Sequence, residues 1–228
     1  MTLNFVAFFW VILTIFVLRF MAQRTEIYLY GIFRIIFRDD DTAFRWSSIV
    51  FWPGTILHEL SHAIMAFFLL IPIAGFTIWP NFAAGTLGAV AISAPRRYFP
   101  LRHSLIGVAP FVIGVSAILL ISYFAFGGDI DSDAAILSTP EAIRIAMSRI
   151  SEAENRGLWL YLLFAIGNSM FPSPPDRSQW RILGWILIIL LGVLFYFGYQ
   201  SLFFEPIVGV FNSVSGYLML AFAMTKIG

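Results

Sequence analysis

Residues 46–70 read WSSIVFWPGTILHELSHAIMAFFLL, a long and predominantly apolar run that carries three ionisable side chains, His58, Glu59 and His62. A helix rises about 1.5 Å per residue and a bilayer core is about 30 Å thick, so about 20 such residues are enough to cross it. Four residues apart, His58 and His62 stand one turn above each other on one helix face, where both rings can donate nitrogens to one metal ion. Glu59 then lies beside the open position of such an ion, placed to take a proton from water that the metal activates. A shuffled chain with this content of His and Glu contains H-E-x-x-H with a chance of roughly one in a thousand. In hydrocarbon the cluster costs several kcal/mol unless it is paired or metal-bound, which marks it as a functional site. The alternative without metal is a hydrogen-bond cluster joining two helices.

Composition extends that reading to the whole chain. Of 228 residues, 60% are hydrophobic and 12% charged, and the mean hydropathy is +0.86. Soluble domains carry about 25% charged residues, so the polar material to cover a water-facing surface is lacking. With 14 Lys+Arg against 13 Asp+Glu there is no basic footprint, and a nucleic-acid partner is not expected. The absence of Cys excludes disulfides, iron–sulfur clusters and thiolate-ligated zinc, leaving His and carboxylates to hold any metal. Candidate spans cover 3–18, 46–70, 104–126, 158–171, 182–204 and 207–224. The fold class expected is therefore an all-α polytopic membrane protein of about six transmembrane helices, a single transmembrane domain over 1–228. The first span, with no convincing cleavage site, reads as a retained anchor. Residues 27–38 read as an interfacial helix followed by Asp39, Asp40 and Asp41 in water. Gly, Pro and Asn punctuate 75–93 as in a small β-hairpin. The polar stretch 127–156 holds an amphipathic helix, with Ile143, Ala146, Met147 and Ile150 at helical spacing after a capping box at Ser138 and Glu141.

Two His leave a tetrahedral catalytic zinc one protein ligand short. His103, beside Arg96, Arg97 and Arg102, reads as an interfacial residue. Asp176 is the better candidate, because it alone among the Asp residues directly follows an apolar span. The segment 158–171 gives about 21 Å of helix, short of a 30 Å core, so its end falls inside the membrane. Pro172, Pro174 and Pro175 cannot continue it, and unwound backbone at depth must line a cavity or pack on protein. The alternative is a turn leaving the membrane, with Asp176 paired to Arg177 or Arg181.

These residues resemble the site-2 protease family of intramembrane zinc metalloproteases. That family carries H-E-x-x-H on one transmembrane helix, as here at His58, Glu59 and His62. A membrane-associated hairpin follows, for which 75–93 is the counterpart, and then a helix with an Asn, a Pro-containing break and an Asp eight residues after the Asn. Asn168 and Asp176 have that spacing. Gly107, Pro110 and Gly114 resemble the family's small-residue core helix. A Gly usually follows the family's Asp, whereas this chain has Arg177, which marks a divergent branch. The resemblance covers about 46–176 and leaves 3–18, 182–204 and 207–224 as accessory spans. It implies zinc held by His58, His62 and Asp176, catalysis by Glu59, and substrate-backbone binding by Asn168. It further implies membrane-protein substrates and a multi-pass protein of a prokaryotic cytoplasmic membrane. Two other readings use the same ligands: a membrane zinc-binding protein or transporter, and a catalytically silent relative that binds membrane segments.

Overall fold

The computed structural model describes residues 5–79, 88–93, 100–127 and 140–199, together with 206–210, 213, 214 and 216. It is mostly helical with one small antiparallel sheet. The helices are α1 (Phe5–Phe37), α2 (Asp40–Phe68), α3 (Pro100–Phe126), α4 (Pro140–Glu152), α5 (Arg156–Ser169) and α6 (Trp180–Tyr196). Strands β1 (Ile73–Thr77) and β2 (Ala89–Ile92) stand between α2 and α3, and a short 3₁₀ turn, Asp176–Gln179, precedes α6. The proposed sixth span, 207–224, the hairpin tip at 80–87 and Ser138 of the capping box lie wholly or largely outside the described residues.

The first span and the interfacial segment form one helix of 33 residues and not two elements. Between them, residues 19–26 contain neither Gly nor Pro, so nothing interrupts the backbone ladder. Arg38 stops it at φ 55°, the left-handed position that ends helices, with its N–H donating to the Arg34 carbonyl. Helix α2 begins six residues before the apolar run because the acidic triplet is used structurally. The Asp39 carboxylate accepts from the Thr42 N–H at 2.7 Å as N-cap, and Asp40 and Asp41 occupy the positive first turn. Asp40 also accepts from the Tyr30 hydroxyl at 2.7 Å and pairs with Arg34, clamping the α1–α2 corner.

The hairpin forms with the register Phe76↔Val90 and Thr77↔Ala89 and a bulge between Ile73 and Gly75. Its base is held by an apolar cluster of Ala66, Ile71 and Ile106, against which Met65 and Ile92 pack. In the polar stretch, α4 buries Ala146 and Ile150, while Met147 faces outward. Helix α3 starts with Pro100 in the first turn, where a missing N–H costs nothing. Among the described residues, it is the one helix long and apolar enough to cross a membrane.

The chain divides into two compact units. One comprises Met21–Gly114 and Ala165–Ile188, the other Met1–Phe20, Val115–Phe164 and Ile189–Gly228. Every residue of the candidate site belongs to the first.

Both corner carboxyls titrate below the ordinary aspartate value of 3.8, Asp39 through its hydrogen bonds from Thr42 and Asp40 through those from Tyr30 and Arg34. A depressed folded value means stability that is complete above 3.8 and is lost as pH falls through the folded values. We therefore expect the acid limb of a thermal-stability profile to flatten below about pH 4 in Asp39→Ala and in Asp40→Ala. Both groups are exposed, so high salt should shrink the difference.

Candidate metal centre

His58 and His62 lie one turn apart on α2, with rings 4.8 Å apart and nearly perpendicular. An imidazole presents a lone pair on one nitrogen only if its proton sits on the other. The His58 Nδ1 contacts the Ser169 carbonyl at 2.7 Å, and the His62 Nδ1 contacts the Ile106 carbonyl at 2.9 Å. A carbonyl only accepts, so both Nδ1 atoms carry hydrogen and donate, and both Nε2 atoms are left with lone pairs.

Helical carbonyls are ordinarily consumed by the N–H four residues later, and local chemistry frees both of these. Pro110 stands four residues after Ile106 and has no N–H, which leaves the Ile106 oxygen available to His62. Ser169 is the last residue of α5, and the N–H four residues on, that of Ser173, donates to Asp176 Oδ2 at 2.7 Å. The Ser173 hydroxyl donates to the same oxygen at 2.5 Å. Asp176 is thereby tied to its own loop, with Oδ1 turned to His62 Nε2 at 3.3 Å and Oδ2 3.7 Å from His58 Nε2.

Three glycines set the distances at which these groups meet. A Cβ on Gly54, one turn before His58, would lie 2.1 Å from the Ala165 oxygen, so α5 reaches α2 only because that atom is missing. A Cβ on Gly107 would lie 2.2 Å from the Asp176 carbonyl oxygen, and one on Gly114 2.5 Å from Met170 Cβ. Positions 107 and 114 are two turns apart on α3, and they make the notch that receives the unwound segment after α5.

The two Nε2 atoms are 3.2 Å apart. Metal–ligand bonds of about 2.0–2.2 Å at tetrahedral angles place two donor atoms about 3.3–3.5 Å from each other; the two imidazole nitrogens meet that distance, and the Asp176 carboxylate approaches them through one oxygen each, at 3.3 Å from His62 Nε2 and 3.7 Å from His58 Nε2. Two lone pairs and a carboxylate that converge in this way could hold a metal cation. His58, His62 and Asp176 are the one group of this kind among the described residues. The donor set of two imidazoles and one carboxylate suits a divalent transition-metal ion. All three expected ligands are thus brought together, and His103, buried elsewhere on α3, is not among them. The alternative ion pair with Arg177 is not formed, since the Arg177 N–H and Nε both donate to the Ser173 carbonyl. The Arg181 side chain lies outside the described residues.

Glu59 and Asn168 line one cavity of about 240 Å³ together with His58, Ser173, Phe51 and Glu26. The hairpin closes on this carboxylate: a Cβ on Gly88 would lie 2.6 Å from Glu59 Cγ. Trp52, seven residues before Glu59 and on the same face, donates its indole N–H to the Ile78 carbonyl at 3.0 Å and packs its ring at a tilt against Trp79. Sequence reasoning did not find Ser173, Glu26 or the two carbonyls. The available signals were the Ser three residues before Asp176, and Pro110 four residues after Ile106.

Comparison of the chain with protein-family models, with curated proteins and with solved structures finds no match.

Outer partners that orient metal-binding imidazoles are commonly worth 10- to 100-fold in affinity. Pro110→Ala returns an N–H to compete for the Ile106 carbonyl. We expect a loss of about tenfold in divalent-metal affinity in a chelator-competition titration, with helix content by circular dichroism unchanged. Gly107→Val should remove binding altogether, by forcing Asp176 away from the two rings.

Proposed function

We propose that the chain is a membrane-embedded zinc endopeptidase that hydrolyses peptide bonds of membrane-protein substrates within or near their spans, in the manner of site-2 proteases. The observation that carries this reading is the convergence of His58 Nε2, His62 Nε2 and the Asp176 carboxylate beside a cavity walled by Glu59. Zinc held by His58, His62 and Asp176 would supply Lewis acidity there and would lower the pKa of a coordinated water to about 7. The Glu59 carboxylate takes the proton of the attacking water and hands it to the leaving amine as the C–N bond breaks. Asn168 stands in the same wall, and the resemblance to site-2 proteases gives it the part of binding the substrate backbone. The hairpin presents extended backbone above Glu59, to which an unwound substrate segment can add as a further strand.

The multi-pass membrane placement belongs to the same proposal. It is supported by α3, by the overall hydropathy, and by large apolar side chains left exposed along α1 and α6, among them Phe16, Phe20, Trp185, Ile188 and Ile189.

Glu59→Gln removes the proton acceptor and leaves the three ligands. We expect cleavage of membrane-peptide substrates to fall by about 10²- to 10⁴-fold while one zinc per chain is retained by elemental analysis. Undiminished cleavage by this variant would overturn the assignment of Glu59, and cleavage without bound metal would overturn the zinc mechanism.

A further inference from the structure

Glu26 is the one charged group in the wall of the metal-side cavity that neither the ligand set nor the proton transfer employs. It is exposed on α1, and no hydrogen bond or ion pair ties it to another described residue. It also lines a second cavity of about 230 Å³, which shares Phe51 as well and is otherwise walled by Ile27, Tyr30, Phe44, Ser47 and Ser48. The two spaces are neighbours along α1 and α2, and Glu26 stands in the wall of both.

The second cavity has an unusual hydrogen-bonding character. The Ser47 and Ser48 hydroxyls both donate to the Phe44 carbonyl, at 2.9 and 2.6 Å. The Tyr30 hydroxyl donates to Asp40. Each hydroxyl in the wall has therefore committed its proton and keeps only lone pairs to offer a ligand. The remaining polar lining is the Glu26 carboxylate, with aromatic faces around it and no Lys, Arg or His among the described lining residues. Such a wall can accept hydrogen bonds but not give them. A ligand that fits it brings several donors and a positive charge on an apolar stem, which is the chemistry of a Lys or Arg side chain.

We propose that this second cavity is a specificity subsite that takes a basic side chain of the substrate segment flanking the scissile bond, with Glu26 as the residue that selects it. The assignment rests on the hydrolase reading, since the adjoining metal-side cavity is where the bond would be cut. Glu26 acts on which segment binds, not on the reacting atoms.

The test uses full-length, zinc-loaded Glu59→Gln protein in micelles and apolar peptides that differ only in carrying Lys, Gln or Glu at one position, scanned along the sequence. At one register the Lys peptide should bind about tenfold or more tightly than the Gln peptide, as a charge-assisted hydrogen bond provides. Adding Glu26→Gln should bring the two within about twofold, and adding Glu26→Arg should turn the preference to the Glu peptide. Metal content of one zinc per chain in each variant establishes that the site is folded. A Lys preference that survives Glu26→Gln, or no Lys preference at any register, overturns the subsite. Cleavage of the same peptides by the wild-type chain separates the two claims. No cleavage alongside a Glu26-dependent Lys preference sinks the hydrolase reading, and with it the subsite's role in cleavage, leaving Glu26 only as a binding determinant for a basic side chain; cleavage without such a preference sinks the subsite alone.

Discussion

The centre depends on one constraint: each imidazole must give its Nδ1 hydrogen to a backbone carbonyl so that its Nε2 lone pair faces the shared point. Inside helical protein that is a demanding condition, because nearly every carbonyl is already taken by the N–H one turn on. The chain meets it twice with proline chemistry. Pro110 deletes a donor within α3 and exposes the Ile106 oxygen. The break beginning at Pro172 ends the α5 ladder, and the Ser173 N–H is diverted to Asp176. The same break therefore frees an acceptor for His58 and anchors the third acidic group. A residue type that reads as an interruption is what supplies the outer shell of the site.

Close approach is the second requirement. A carbonyl can orient a ring only if the backbone carrying it comes within hydrogen-bond distance, and a Cβ in the contact would prevent this. Gly54 permits it on the side of His58, and Gly107 and Gly114 permit it on the side of Asp176. Gly88 plays the corresponding part for the hairpin over Glu59. Four absent methyl groups thus place α5, the unwound segment and β2 around one turn of α2.

Much of this was legible in residues 46–70 and in the spacing of a few prolines. The pairing of His58 with His62 follows from helical periodicity alone, and Asp176 stood out because an acid directly after an apolar span has few structural uses. The hairpin was marked by its Gly, Pro and Asn punctuation. Other features were not legible, because they depend on what a residue meets. Residues 27–38 looked like a separate interfacial helix by hydropathy, yet the backbone runs through 19–26 without a break and makes one helix with the first span. The acidic triplet looked like a solvated linker, but capping draws it into α2 and onto Tyr30 and Arg34. Met147, at the right interval for the buried face of its helix, faces outward.

By itself the sequence determined the types of the candidate ligands, their order, and the helix that carries two of them. Those follow from composition, from the lack of Cys and from the 3.6-residue repeat, all of which are local. Only the tertiary structure decided that Asp176 turns to the two rings and not to Arg177, and that Ser173 holds it there. It alone brought Ile106 and Ser169 to the outer nitrogens and set Glu26 in the wall of two adjoining cavities. The reason is physical: these are contacts between backbone atoms and side chains far apart in the chain. Backbone carbonyls are identical at every residue, so nothing in the letter code distinguishes the two that matter until the fold brings them within 3 Å of a histidine.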